Sequence, residues 1–176
     1  MGRPSAREQI LDAYEDILID SGSAAVTLDA VAARAAVSKG GLLYHFGSKD
    51  ALLDGLVDRL RRLTIADVEH ARTAPEGVVR YYLLTSVTDA SMNKPAHRSA
   101  VAALRLLGSE DRVTAAMAEV NEMWANLLAE HFDDPLTAEM VALLGDGLYL
   151  RATMGGQRPQ PLLDRLPEAL ARLGAD

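Results

Sequence analysis

Apolar residues recur at three- and four-residue intervals along almost the whole chain, and nowhere does an apolar/polar alternation last long enough to make a strand. A chain patterned this way can bury its apolar stripes only by packing helix on helix, so the expected fold class is all-α, with about nine helices. At 176 residues there is room for one domain, or for a small head joined to a larger body.

Stop and start signals divide the pattern. The first helix spans Ala6–Ser21, with Ile10, Ala13, Tyr14, Ile17 and Leu18 on one face and Gly22 as its end. Thr27 caps a short helix, Leu28–Ala35, with Asp29 in its positive first turn; Ser38 caps another, Lys39–Phe46. Ser48 opens a long helix, Lys49–Ala71, striped by Leu52, Leu53, Leu56, Val57, Leu60 and Leu63. Further helices are expected over Glu76–Met92, Ala96–Leu107, Asp111–Phe132, Leu136–Met154 and Leu162–Leu173. The domain reading is a head of residues 1–48 and a body of residues 49–176, joined through a connecting helix at 49–71.

Several classes of chemistry find no support. With no cysteine there is no disulfide scaffold, thiolate metal site or cysteine nucleophile. The four histidines are far apart, no HExxH pair occurs, and Leu150 stands where a dinucleotide fingerprint starting at Gly145 needs its third glycine. No metal and no cofactor is therefore expected. The apolar runs are too short to span a membrane, and Glu8, Asp12, Glu15 and Asp16 interrupt what would be a signal peptide, so a cytoplasmic protein is expected.

The net charge of −7 argues against a nucleic-acid partner until its distribution is considered: residues 1–63 carry −1 and the rest carry −6. Between Arg34 and Lys49 the chain has Arg34, Lys39, His45 and Lys49 and no acid, a window suited to phosphate. That window coincides with two short helices joined by a tight turn at Ala36, Val37 and Ser38, the layout of a helix-turn-helix whose second helix fits the DNA major groove. Leu28, Val31, Ala32, Val37, Leu42 and Phe46 have the spacing to pack the unit inward, which leaves Lys39, Gly40, Gly41, Leu43, Tyr44 and His45 outward. Two helical glycines cost about 0.8–1 kcal/mol each relative to alanine, a choice explained if that helix start must approach a base edge or a phosphate. A plain three-helix unit with no nucleic acid has the same periodicity.

The run TLDAVAARAAVSKGGLLYHFGSKDALL, Thr27 to Leu53, resembles the DNA-binding head of TetR/AcrR-family transcriptional regulators, and the likeness extends over about residues 6–60. The resemblance implies backbone-phosphate contacts at Thr27 and Lys49 and places Ser38, Lys39 and Gly41 at the head of the recognition helix. It puts Tyr44 and His45 near the flanking phosphates and makes Lys39 the candidate reader of guanine O6 and N7. Three positions depart from the family pattern: Ala36 occupies the usual turn glycine, Leu43 a frequent phosphate-contacting tyrosine, and Gly47 a frequent proline. Tyr44 is the candidate substitute for the hydroxyl missing at Leu43. Arg3 and Arg7 are placed to form an arm entering the adjacent minor groove, with an ordinary solvated terminus as the alternative.

One recognition helix reads too little DNA for useful affinity, so a homodimer on palindromic operator DNA is expected. The helix at 136–154 is apolar on two sides, Leu136, Met140, Leu143 and Leu150 near one stripe and Val141, Leu144, Leu148 and Ala152 on another; with Gly145 and Gly147 permitting close approach, it is the candidate dimer helix, together with the last helix, with a wholly intrachain central helix as the alternative. Candidate ligand-binding residues are Met92, Met117, Asn121, Trp124, Asp146 and Tyr149, suited to a small, mostly apolar effector with Asn121 or Asp146 as polar anchor. Asp146 has the alternatives of pairing with Arg105 or Arg151 or meeting a cationic ligand. The resemblance implies a one-component repressor in which an effector bound in the body tilts the connecting helix. The rivals are a small all-α enzyme acting on an apolar ligand and a DNA-binding protein with no effector.

Overall fold

A computed structural model describes residues 5–154 and 160–173, and every regular element among them is helical. The ten α-helices are α1 (Ala6–Ser21), α2 (Leu28–Arg34), α3 (Lys39–His45), α4 (Lys49–Arg72), α5 (Val78–Thr88), α6 (Pro95–Leu104), α7 (Asp111–Ala129), α8 (Pro135–Thr153), α9 (Gln160–Asp164) and α10 (Leu166–Arg172), with one 3₁₀ turn at Ser23–Ala25. The chain forms two compact units: one is built from residues up to Arg62 together with Arg98–Met117, the other from Leu63–His97 and the chain from Ala118 onward.

In the first unit α1 packs on α2 and α2 on α3. Its core is Ile10, Leu11, Tyr14, Ile17, Leu18, Val31, Leu42, Phe46, Leu52 and Leu56, all buried. Gly55 lets α4 lie directly against this core: a Cβ there would stand 2.7 Å from Phe46 Cε1 and 3.0 Å from Leu11 Cδ2. Burial pushes the Tyr14 phenol up to about 12, so it stays a neutral member of the core. The turn between α2 and α3 is held by Val37 N–H donating to the Ala32 carbonyl at 3.0 Å and Ala36 N–H to that of Ala33 at 3.2 Å. It forces Ala36 to φ 54°, the left-handed region that glycine occupies without a Cβ penalty. Because Ala36 is exposed, Ala36→Gly is expected to stabilise the protein by about 0.5–1 kcal/mol, read as a raised denaturation midpoint with an unchanged denaturant slope.

In the second unit α5 packs on α8 around Tyr82, Leu83, Val87, Leu127, Leu128, Val141 and Leu148. Gly145 is the point of closest approach, since a Cβ there would sit 2.2 Å from Tyr82 Cε1. The two α8 glycines therefore differ from each other. Gly145 is buried and serves α5–α8 packing within the chain, whereas Gly147 is exposed with no atom near its missing Cβ.

Several helix boundaries move from their expected places, among them the end of α6, at Leu104 rather than Leu107. α5 starts only after Gly77, whose φ of 84° ends the turn that follows α4, and it stops at Thr88 rather than Met92. α7 ends at Ala129, where His131 N–H turns back to the Leu128 carbonyl. The expected single helix at 162–173 is two pieces, α9 and α10: Pro167 has no N–H for a continuous ladder and instead takes a first-turn position of α10.

Candidate nucleic-acid interface

The recognition helix α3 is fixed at its start by Ser38, whose Oγ accepts from Gly41 N–H at 3.0 Å; Thr27 Oγ1 caps α2 through Ala30 N–H at 3.0 Å, and Ser48 Oγ accepts from Ala51 N–H at 3.1 Å. In each case the hydroxyl oxygen is the acceptor, so its own proton remains available to a phosphate oxygen. Thr27, Ser38, Lys39, Gly40, Leu43, Tyr44, His45 and Lys49 are all exposed, and Gly41 is half-buried. Leu42 and Phe46 alone of this stretch anchor α3 inward, as its apolar spacing requires.

The two helix glycines have different causes. Gly41 lies under its own cap, an added Cβ standing 3.2 Å from Ser38 Oγ, while nothing within the chain lies near Gly40. The fold therefore gives no reason for glycine at position 40. Tyr44 is 86% exposed and Leu43 41%, with the Tyr44 ring edge-on to His45 at 5.1 Å. Arg7 lies inside α1 with its guanidinium 5.1 Å from the Phe46 ring centre, a cation–π contact. Arg3 lies outside the described residues.

The acid-free window is not free of acid in space. Arg34 reaches Asp20 at 3.1 Å, and the Lys39 ammonium lies 2.9 Å from Asp29 Oδ1 and 3.2 Å from Oδ2. Read along the chain, Asp29 is only a favourable first-turn charge of α2; the tight turn brings it back onto the residue ten positions later.

A second cluster lies within the first unit. Glu15 is fully buried, accepts from Ser99 Oγ at 2.6 Å, and faces Arg59 Nη1 at 3.3 Å and Arg98 Nε at 3.6 Å. Arg59 also donates to Asp12 at 2.6 Å, and Arg98 to Asp16 at 2.8 Å and to the Asp12 carbonyl at 3.1 Å. Burial raises the Glu15 carboxyl above its ordinary range in spite of Ser99 and the two guanidiniums. Residues 11, 15 and 18 share a helix face, so the buried row of Leu11, Glu15 and Leu18 is the pattern that marks Glu15 as internal.

In the second unit Trp124 is half-buried, its ring centre 5.2 Å from that of Tyr82. The Tyr82 hydroxyl reaches Asp146 Oδ1 at 3.0 Å and the Ala142 carbonyl at 3.1 Å, and burial and the Asp146 charge hold it strongly protonated. Asp146 thus has a phenol for a partner, while Arg105 donates to the Ile19 carbonyl in the first unit. Tyr149 is half-buried, pushed up to about 12 by burial, and its hydroxyl lies 2.7 Å from Nδ1 of buried His97. Met92, Asn121 and Asp146 are exposed, and Met117 belongs to the first unit. An open depression of about 450 Å³ in that unit is lined by Asp54, Val57, Asp58, Arg61, Arg112 and Ala115, a charged wall unlike the aromatic neighbourhood of Trp124.

Two short helices, a tight turn and an outward, capped second helix define a helix-turn-helix protein of the DNA-binding class. Residues 10–56 match the family described as "Bacterial regulatory proteins, tetR family", and residues 76–175 match "Tetracyclin repressor-like, C-terminal domain". The chain belongs to the TetR family of transcriptional regulators. It is similar to the HTH-type transcriptional regulators BetI of Burkholderia thailandensis, 29% identical over 88% of this chain and 85% of that one, and of Burkholderia cenocepacia, 30% identical over the same shares. Among solved structures it is similar to the multidrug binding protein EbrR complexed with malachite green, at 26% identity and TM-score 0.71 over 97% of this chain and 98% of that one. A TetR-family member from Streptomyces coelicolor shares the fold at TM-score 0.72 and 23% identity, over 97% and 98% of the two chains. Among the described residues no helix is long and apolar enough to cross a membrane, and no group of acids and histidines is arranged to hold a metal ion.

Proposed function

We propose that this chain is a cytoplasmic one-component repressor: residues 1–48 bind palindromic double-stranded operator DNA, and residues 49–176 dimerise and bind a small effector that releases it. The observation that carries the reading is α3 itself, capped by Ser38, anchored by Leu42 and Phe46, and presenting Lys39, Gly40, Tyr44 and His45 outward. The bare Gly40 surface supports close approach by a ligand outside the chain, in keeping with a phosphate or base edge. Lys49 and the capping hydroxyls of Thr27, Ser38 and Ser48 are the phosphate-contacting groups of this reading, Tyr44 supplies the hydroxyl that Leu43 lacks, and Arg3 belongs to a minor-groove arm.

The dimer reading rests on α8, whose Leu136, Leu143 and Leu150 are more than half exposed at seven-residue spacing, with Met154 beyond them. The opposite face of the same helix, Val141, Gly145 and Leu148, is already buried within the unit. The effector reading rests on Tyr82, which links the Trp124 ring to the Asp146 carboxylate. An aromatic pair beside an acid suits a mostly apolar aromatic cation, and malachite green, bound by the similar EbrR, is of that class. Met92, Asn121 and Tyr149, which belong to the same unit, remain candidate contacts of that effector. Full release requires the effector to favour the non-binding state by about 10⁴-fold.

Selection of genomic fragments by the purified protein tests the reading. A palindrome is expected to be enriched; Lys39→Ala should relax its sequence preference, whereas Lys49→Ala should weaken all duplexes and flatten the salt dependence by about one unit. No enriched sequence together with flat salt dependence refutes operator binding. Catalytic turnover of a bound ligand would favour the enzyme reading, and a second unit that binds no small molecule the effector-less one.

A further inference from the structure

The long cation at the head of the recognition helix is already engaged. Lys39 Nζ lies within hydrogen-bond distance of both carboxylate oxygens of Asp29, 2.9 and 3.2 Å away, across the turn that joins α2 to α3. Neither partner is buried: the side chains are 58% and 72% exposed, so the pair faces outward with the rest of the α3 surface and opens at little cost. Asp29 is fixed by its place in the first turn of α2, behind the Thr27 cap. A negative charge therefore stands beside the residue that the operator reading assigns to base recognition, on a surface whose exposed charged side chains from Arg34 to Lys49 are all basic.

From this juxtaposition we infer that Asp29 is a specificity-determining, positioning residue, which makes Lys39 discriminate between a base edge and a phosphate. An ammonium has three donors. With one held by Asp29, the others remain for the O6 and N7 acceptors of a guanine, which carry no net charge and so do not repel the carboxylate. A phosphate oxygen approaching the same ammonium brings a full negative charge against Asp29 and must displace it or accept the repulsion. Asp29 thus weakens the sequence-independent component of binding while leaving the guanine contact in place. It raises the ratio of specific to non-specific affinity by penalising the wrong partner. This assignment rests on the operator reading above.

The test uses the full chain, the selected operator fragment and a scrambled duplex of equal length, with binding measured between about 50 and 200 mM salt. Asp29→Asn removes the charge, keeps the shape and touches only exposed surface; its thermal unfolding is measured beside it. Freed of its carboxylate, Lys39 should take a phosphate on the scrambled duplex, steepening the salt slope there by about 0.9 and raising affinity about three- to tenfold. Operator affinity should change less, so the specificity ratio falls. In a Lys39→Ala background Asp29→Asn should change neither slope nor ratio. An unchanged ratio and slope in the single variant, an equal loss on both duplexes, or an effect that persists without Lys39 overturns the assignment while operator binding stands. A parent protein that enriches no palindrome overturns the operator reading, and this assignment with it.

Discussion

Arg59→Ala should destabilise the protein by about 3–5 kcal/mol, far more than its single guanidinium would be worth at a surface. Arg59 is 7% exposed and holds three acids of α1 at once: Glu15 at 3.3 Å, Asp12 at 2.6 Å and Glu8 at 3.4 Å. Asp12 and Glu8 can turn to water when it is lost. Glu15 cannot, being fully buried, and is left with Ser99 and the more distant Arg98 against the full cost of its own desolvation.

The pH dependence follows from the same burial. The folded-state pKa of Glu15 is raised above its unfolded value, so folding binds this proton more tightly, and its contribution grows as pH falls through the folded value and is lost as pH rises through it. Arg59→Ala removes one of the cations opposing that rise. The loss should therefore be larger near neutral pH than near about pH 5, and Glu15→Gln in the same background should recover part of it. Urea unfolding of the parent, single and double variants at both pH values measures this. A loss under about 1 kcal/mol that is independent of pH would show that water already reaches the cluster.

What the sequence made legible is what local rules decide. Thr27 and Ser38 cap the helices they precede because a hydroxyl there meets an orphan N–H, and Gly22 and Gly108 end segments in φ values of 76° and 78° that other residues avoid. The apolar stripes of α1 and α4 are the observed core of the first unit for the same reason. The broken α9–α10 pair was legible too, since Pro167 stands in the middle of the expected helix, but the apolar spacing of Leu162, Leu163, Leu166 and Leu170 continues across the break and masks it. What the sequence left open depends on the direction of side chains after the chain has turned. The Asp29–Lys39 pair joins residues on two helices, and an acid-free window counted along the chain says nothing of an acid returned to it by a turn. Asp146 lay among apolar neighbours in sequence and invited a buried-charge reading. It sits instead at an exposed position of α8, with the Tyr82 hydroxyl as its partner.

Leu143→Glu should separate the proposed dimer while leaving each chain folded. Leu143 is 63% exposed and lies two helical turns from both Leu136 and Leu150, so it is the middle of the apolar row on α8. Little is lost within the chain by changing a side chain that is mostly exposed, and glutamate is a good helix former, so the stability of the isolated chain should move by less than about 0.5 kcal/mol. In a two-fold interface every substitution enters twice and the centre of the patch meets its own copy. Burying each leucine contributes about 1.5–3 kcal/mol, and two carboxylates brought together would add repulsion to that loss, so the dimer dissociation constant should rise by at least about 100-fold. Operator affinity should collapse with it, because palindrome recognition needs two recognition helices at once, about 34–36 Å apart. Val141→Ala is the contrasting change: Val141 is fully buried on the opposite face, and its truncation should lower stability with no direct effect on association. Sedimentation and operator titration of both variants read the two faces separately. If Leu143→Glu sediments as a dimer and still binds the palindrome, the subunits meet on another surface, and the exposed row on α8 needs a different partner.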